Sequence, residues 1–133
     1  MYVFVEPDTF NWKCANVLIG MGDSYSSAGA AAFEKAAKKN GINVCSKSTY
    51  EPNSADMEIT IQDMMSKRCC LLTVLFAQPK DIVSILFEAH KQHYAGEWLM
   101  GDTVIDSHIY IVDELEKKLR STSAAYALMR GRY

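Results

Sequence analysis

The run Cys69–Ala77, CCLLTVLFA, constrains the chain more than any other stretch. It is apolar almost throughout, whereas a strand with one solvated face would alternate. Such a strand needs cover on both sides, as a central parallel strand has. Gln78 ends it, and Pro79 suits the first helical position, where a missing N–H costs nothing. The flanking segments alternate between short apolar runs and helical patterns. That alternation implies a parallel sheet with crossover helices on both faces.

Upstream, Cys14–Ile19 reads as the first strand and breaks at Gly20 and Gly22. A polar turn, Asp23 to Ser27, leads into an Ala-rich helix that stops at Asn40-Gly41. Ser26 or Ser27 is the expected N-cap, and Gly29, Phe33, Ala36 and Ala37 should face the sheet. Ile42–Lys47 is the second strand. A second helix follows from a cap at Ser54 to about Lys67. Its methionines, Met57, Met64 and Met65, recur with Ile61 at helical spacing and read as core rather than as sulfur chemistry.

The third helix is expected over Pro79–Tyr94, with Ile82, Ile85, Leu86 and Ala89 inward. His90 and His93 sit near its C-terminus and complement the helix dipole. Glu97–Gly101 is a short fourth strand, and Asp113–Met129 reads as a terminal helix. The fold class expected is α/β: a three-layer parallel sheet of about four to five strands in the flavodoxin-like order 2-1-3-4, with helices on both faces. An N-terminal stub over 1–11 precedes an α/β domain over 12–112, in which Trp12 anchors the first βα unit. A C-terminal helix and tail occupy 113–133.

A chain of 133 residues suits one domain. The net charge of −2, with basic residues scattered in pairs such as Lys38-Lys39 and Lys117-Lys118, argues against nucleic acid as a partner. No apolar run approaches the ~20 residues of a membrane span. The start lacks the pattern of a signal peptide. The expectation is a chain with no signal peptide or transmembrane segment of its own.

Cys14, Cys45, Cys69 and Cys70 form no CxxC pair, and their spacing does not suit a zinc site. With Cys45 and Cys69 in expected strands, buried free thiols packing as small hydrophobes are the expectation. Cys69 and Cys70 would point to opposite faces of a strand, so a bond between them is disfavoured.

No GxSxG, HExxH or P-loop is present. Gly20-Met21-Gly22 begins like a dinucleotide fingerprint, but the third glycine is displaced and Lys47-Ser48 stand where an acidic residue should close strand two. A flavodoxin-like nucleotide-using enzyme domain is therefore the weaker reading. Neither catalytic residues nor cofactors are expected.

In the 2-1-3-4 order four loops share the carboxyl edge: Gly20–Tyr25, Ser48–Asn53, Ala77-Gln78 and Asp102–Asp106. The ends of strands one and four lie roughly 10 Å apart across strand three, a span for a small metabolite. Tyr25 offers a ring face and a hydroxyl, with Ser24 beside it, and Asp102 offers a carboxylate. The backbone at Ala77 and Gln78 offers hydrogen bonds between them. An amine held between an aromatic face and a carboxylate is sound chemistry. The alternative is structural: Asp102 caps the following turn and Tyr25 packs on its own helix.

The segments GDSYSSAGAAAFEKAAKKNGI, VLFAQP and WLMGDT, in this order, resemble the type I periplasmic-binding fold. The likeness is closest to the ligand-binding region shared by natriuretic-peptide receptors, class C G-protein-coupled receptors and bacterial amino-acid-binding proteins, and covers about Phe10 to Thr103. It implies a two-lobed clamshell that closes on a small ligand, an amino acid among the candidates, without catalysis. This chain would supply most of the second lobe of a longer receptor on the extracellular side of the plasma membrane. Its partners would be a small-molecule ligand and the first lobe, and the full-length protein could form a homodimer. A soluble solute-binding protein of an amino-acid transporter is the alternative. Tyr25 and Asp102 match the positions that contact the ligand ammonium in amino-acid-binding members. Ser26 stands in place of the usual glycine after the tyrosine, and Ser24 is an extra residue before it.

Overall fold

The computed structural model describes residues 13–130, those beyond 121 by their backbone alone. The expected N-terminal stub, Trp12 and the last three residues of the tail lie outside the described residues. Four strands, β1 (Cys14–Gly20), β2 (Asn43–Tyr50), β3 (Leu72–Leu75) and β4 (Glu97–Met100), alternate with four helices, α1 (Ser24–Lys39), α2 (Glu58–Lys67), α3 (Pro79–Lys91) and α4 (Thr103–Arg130). All strand pairs are parallel, in the order β2-β1-β3-β4. The expected fold class and strand order are those observed.

The four residues of β3 are all buried, as a strand covered on both faces requires. Alternate residues feed two separate cores. Ala15, Val17, Leu72 and Val74 pack with Phe33, Ala37 and Phe76 beneath α1. Leu18 and Leu75 pack with Ile61 and Met64 of α2, Ile82 and Ile85 of α3, and Ile111 of α4 on the other face. The expected inward stripes of the first three helices are thus the observed ones: Ala36, Met65 and Leu86 are half-buried and their partners buried.

Several local expectations change. Asp23, not Ser26 or Ser27, caps α1: its Oδ1 accepts the N–H of Tyr25 at 2.9 Å and of Ser26 at 3.3 Å. The buried Ser26 hydroxyl instead accepts the N–H of Gly20 at 2.8 Å and ties the end of β1 to the helix. Ser54 does not cap α2, which starts at Glu58; Asp56 accepts the Glu58 N–H at 3.0 Å. Strand two runs on to Tyr50 because the Tyr50 side chain is buried in the core. Helix α3 ends at Lys91, and His93 takes a positive φ of 59° beyond it. The terminal helix starts at Thr103 rather than Asp113, with a kink at Ser107.

The cysteines depart furthest from expectation. Cys69 and Cys70 lie before β3 rather than in it, and none of the four is buried. Cys14 is bonded to Cys70 and Cys45 to Cys69, so the free-thiol expectation is overturned and no free cysteine exists among the described residues. The spacing in sequence hid this because the strand order, not the chain order, brings the four together.

Candidate functional site

The carboxyl ends of the strands carry the groups from which a site can be built. At one side, Tyr25 in the first turn of α1 reaches across to the loop after β4. Its hydroxyl donates to Asp102 Oδ1 at 2.9 Å and lies 3.4 Å from Thr103 Oγ1. The Thr103 N–H donates to the same hydroxyl at 3.4 Å. Phe76 forms the wall behind, edge-on to the Tyr25 ring with centroids 6.4 Å apart. Gly101 makes this approach possible. A Cβ there would lie 2.6 Å from both Tyr25 Oη and the Phe76 ring, inside contact distance. Burial pushes the Tyr25 hydroxyl pKa up, so it remains a protonated donor at neutral pH.

Asp102 is exposed and sits just ahead of α4, where its carbonyl accepts the Ile105 N–H at 3.0 Å. Its carboxylate accepts from Tyr25. A carboxylate has about four lone-pair sites, so capacity remains for a ligand donor. The Tyr25 side chain thus joins the first turn of α1 to the loop after β4, and Asp102 opens the turn that follows, its carbonyl accepting from Ile105 and Asp106.

The remaining expected residues are differently placed. Ala77 is fully buried and its carbonyl accepts the Thr103 hydroxyl at 3.0 Å, so this backbone group already has a partner. Gln78 is exposed ahead of α3, and its carbonyl accepts the Ile82 N–H at 3.0 Å. Ser24 is exposed at the first position of α1.

Gln78 also borders a cleft of about 400 Å³, lined with Met21, Gly22, Asp23, Pro52, Asn53 and Asp81. Small-molecule sites start at roughly 300 Å³. Gly22 takes a φ of 73°, a turn conformation open to glycine, and so carries the chain along the cleft rim. Asp81 was missed by sequence reasoning. In the first turn of α3 it reads as an ordinary solvated carboxylate, yet it is buried and its Oδ1 accepts the Asn53 N–H at 2.8 Å. Burial raises its pKa, the Asn53 hydrogen bond opposes this, and the nearby Asp23 carboxylate adds to the rise. With two carboxylates and no basic side chain in its lining, the cleft favours a cationic group.

The sign of the resulting pH effect follows from linkage. A raised pKa means that the folded chain binds the Asp81 proton more tightly than the unfolded chain does. Stability should therefore rise as pH falls from neutrality through the raised folded pKa towards the unfolded value, where the gain is complete. Asp81→Asn keeps an acceptor for Asn53 and removes the charge, so it should flatten this part of the stability–pH profile. Urea unfolding from pH 7 to pH 4 checks it; an identical slope in both proteins contradicts it.

Residues 7–129 match the model of the family described as "Receptor family ligand binding region". No curated protein matches the chain in sequence. Among solved structures, the branched-chain amino acid transporter substrate binding protein LivJ from Streptococcus pneumoniae, in complex with isoleucine, superposes with a TM-score of 0.63 at 13% identity, over 74% of this chain and 27% of that one. A periplasmic binding protein type 1 from Bordetella pertussis superposes with a TM-score of 0.65 at 11% identity, over 82% of this chain and 28% of that one. The chain thus spans little more than a quarter of the length of these two proteins, and at such identities the likeness is one of fold.

Proposed function

The chain belongs to the receptor family ligand binding region family, and from that premise we propose that it is the ligand-binding lobe of an extracellular receptor that senses a small ligand by clamshell closure. An amino acid is the ligand class that fits the edge. The observation that carries the reading is the Tyr25–Asp102 pair, a hydroxyl and a carboxylate 2.9 Å apart at the carboxyl edge of β1 and β4. An ammonium group can take the Asp102 carboxylate and the Tyr25 ring face together, because formal charge and ring quadrupole attract it alike. Ser24 and the backbone of Gln78 border the same edge. Asp23 and Asp81 in the neighbouring cleft add to a negative field suited to a cationic ligand group. Binding of this kind needs no bond-making group, in keeping with a binding role rather than an enzymatic one.

The whole site would need a first lobe facing this edge, with Asp102 leaving water as the two lobes close. We place the receptor on the extracellular side of the plasma membrane, with a homodimer as its assembly. A second reading, a soluble solute-binding protein of an amino-acid transporter, draws on the fold shared with LivJ. A membrane-spanning segment in the coding sequence next to this chain distinguishes the first reading from the second. Among the described residues no helix is long and apolar enough to cross a membrane.

Calorimetric titration of α-amino acids into the complete protein tests the site. Asp102→Ala and Tyr25→Ala should each weaken binding by more than about 1 kcal/mol, the usual loss for a hydrogen bond to a charged group. Unchanged affinity in both variants would sink the assignment.

A further inference from the structure

The four cysteines meet at the amino-terminal edge of the sheet, the edge opposite Tyr25 and Asp102. Cys14 opens β1, Cys69-Cys70 lead into β3, and Cys45 sits in β2 where the register with β1 shifts between Ala15 and Asn16. Such a bulge re-aims the side chain it carries. Because Cys69 and Cys70 precede β3, strand alternation does not force their side chains apart.

The two disulfides touch: Cys45 Sγ lies 3.4 Å from Cys70 Sγ. The sulfurs of Cys14, Cys45 and Cys70 all lie within 4.8 Å of one another, and Cys69 is bonded to Cys45. Asn16, buried behind them, fixes this corner. Its Oδ1 accepts the Cys69 N–H at 3.0 Å and the Ser46 hydroxyl at 3.1 Å, and its Nδ2 donates to the carbonyls of Cys70 at 2.8 Å and Leu72 at 2.9 Å. Asn16 Oδ1 also lies 3.6 Å from Cys45 Sγ and 3.4 Å from Cys69 Sγ.

We propose that with its thiols reduced this corner is a tetrathiolate site for a soft divalent cation of the zinc class, and that the two disulfides replace the metal on oxidation. A tetrahedral zinc with bonds of about 2.3 Å holds its sulfurs about 3.8 Å apart. Cys45 Sγ and Cys70 Sγ stand 3.4 Å apart, and both lie within 4.8 Å of Cys14 Sγ, so three donors are already close to that spacing and Cys69, bonded to Cys45, is at hand as the fourth. Four thiolates and no carboxylate select zinc over magnesium or calcium. A CxxC search misses such a site because its ligands come from three segments that only the strand order assembles.

The chemistry balances. One zinc ion displaces four thiol protons and leaves a complex of charge −2. Two molecules of a small disulfide then oxidise the four thiolates pairwise, with uptake of four protons. The products are two protein disulfides, four small thiols and free Zn²⁺. The test uses the full chain, reduced with an excess of a phosphine and kept free of oxygen, and titrated with Co²⁺ as a spectroscopic probe. The expected result is one cobalt per chain, with the thiolate-to-metal absorption of a tetrahedral site, displaced by one equivalent of Zn²⁺. Zinc should shield all four thiols from alkylation, counted by intact mass. Two equivalents of glutathione disulfide should release it, and the oxidised chain should bind none. Cys14→Ser and Cys45→Ser should each weaken zinc binding about 100-fold or more, since loss of even an outer-shell partner costs 10–100-fold. An octahedral cobalt spectrum, alkylation unchanged by zinc, or equal binding by the oxidised chain would overturn the proposal. The wild-type spectrum and alkylation pattern decide the matter even where a serine variant does not fold.

Discussion

Phe76→Ala is expected to lower the stability of the chain by about 3–5 kcal/mol, the range for removing a buried phenyl ring. Phe76 is 2% exposed and follows directly on β3. Two glycines are shaped around it. A Cβ at Gly29 would fall within contact distance of the Phe76 ring, and one at Gly101 would lie 2.6 Å from its Cδ1. Helix α1 and the loop after β4 therefore both approach the sheet through this one ring. Neither glycine has a side chain that could move into the space left by alanine, so the cavity should stay open and the loss should lie high in the range. Tyr25 also loses the ring against which its own edge rests. Urea unfolding should show a lower midpoint with an unchanged slope, the mark of a change in stability rather than in compactness. A loss below about 1 kcal/mol would mean that α1 collapses onto the sheet, contrary to the packing described.

Phe76 also shows why the general plan was legible. A run of apolar residues bounded by Gln78-Pro79 has few folded solutions, and the helical stripes on either side leave one sheet to pack on. Tyr25 and Asp102 could be paired in advance because both follow strand ends that flank β3, and strand order is a coarse feature. Finer features turned on competition between similar groups. Asp23, Ser26 and Ser27 are all good caps, and only the contact from Ser26 to Gly20 decides which is free to cap. Asp81 is buried because the turn at Asn53 folds over it, an event remote in the chain. The start of α4 was obscured because this helix packs chiefly on α3 and leaves Ile105 and Ile109 exposed, so its apolar pattern has no single face.

The cysteine corner carries the second large effect. Cys14→Ser with Cys70→Ser removes a bridge between residues 56 apart, and Cys45→Ser with Cys69→Ser one between residues 24 apart. The loop-entropy model gives about 4 kcal/mol for the first and about 3.5 kcal/mol for the second. The difference is small because the cost of closing a loop grows only with the logarithm of its length. Paired substitutions leave no unpaired thiol from the bridge they remove. The two losses should not add. Once Cys45 is joined to Cys69, the path from Cys14 to Cys70 can run across that bond, so the inner bridge shortens the loop that the outer one closes. The quadruple variant should therefore lose less than the sum of the two pairs. Urea unfolding of the oxidised proteins measures all three, and the reduced wild-type chain without metal should approach the quadruple variant. A loss below about 1 kcal/mol for Cys14→Ser with Cys70→Ser would mean that this bridge does not restrain the unfolded chain. Full additivity would mean that the two bridges close independent loops, which their shared corner excludes.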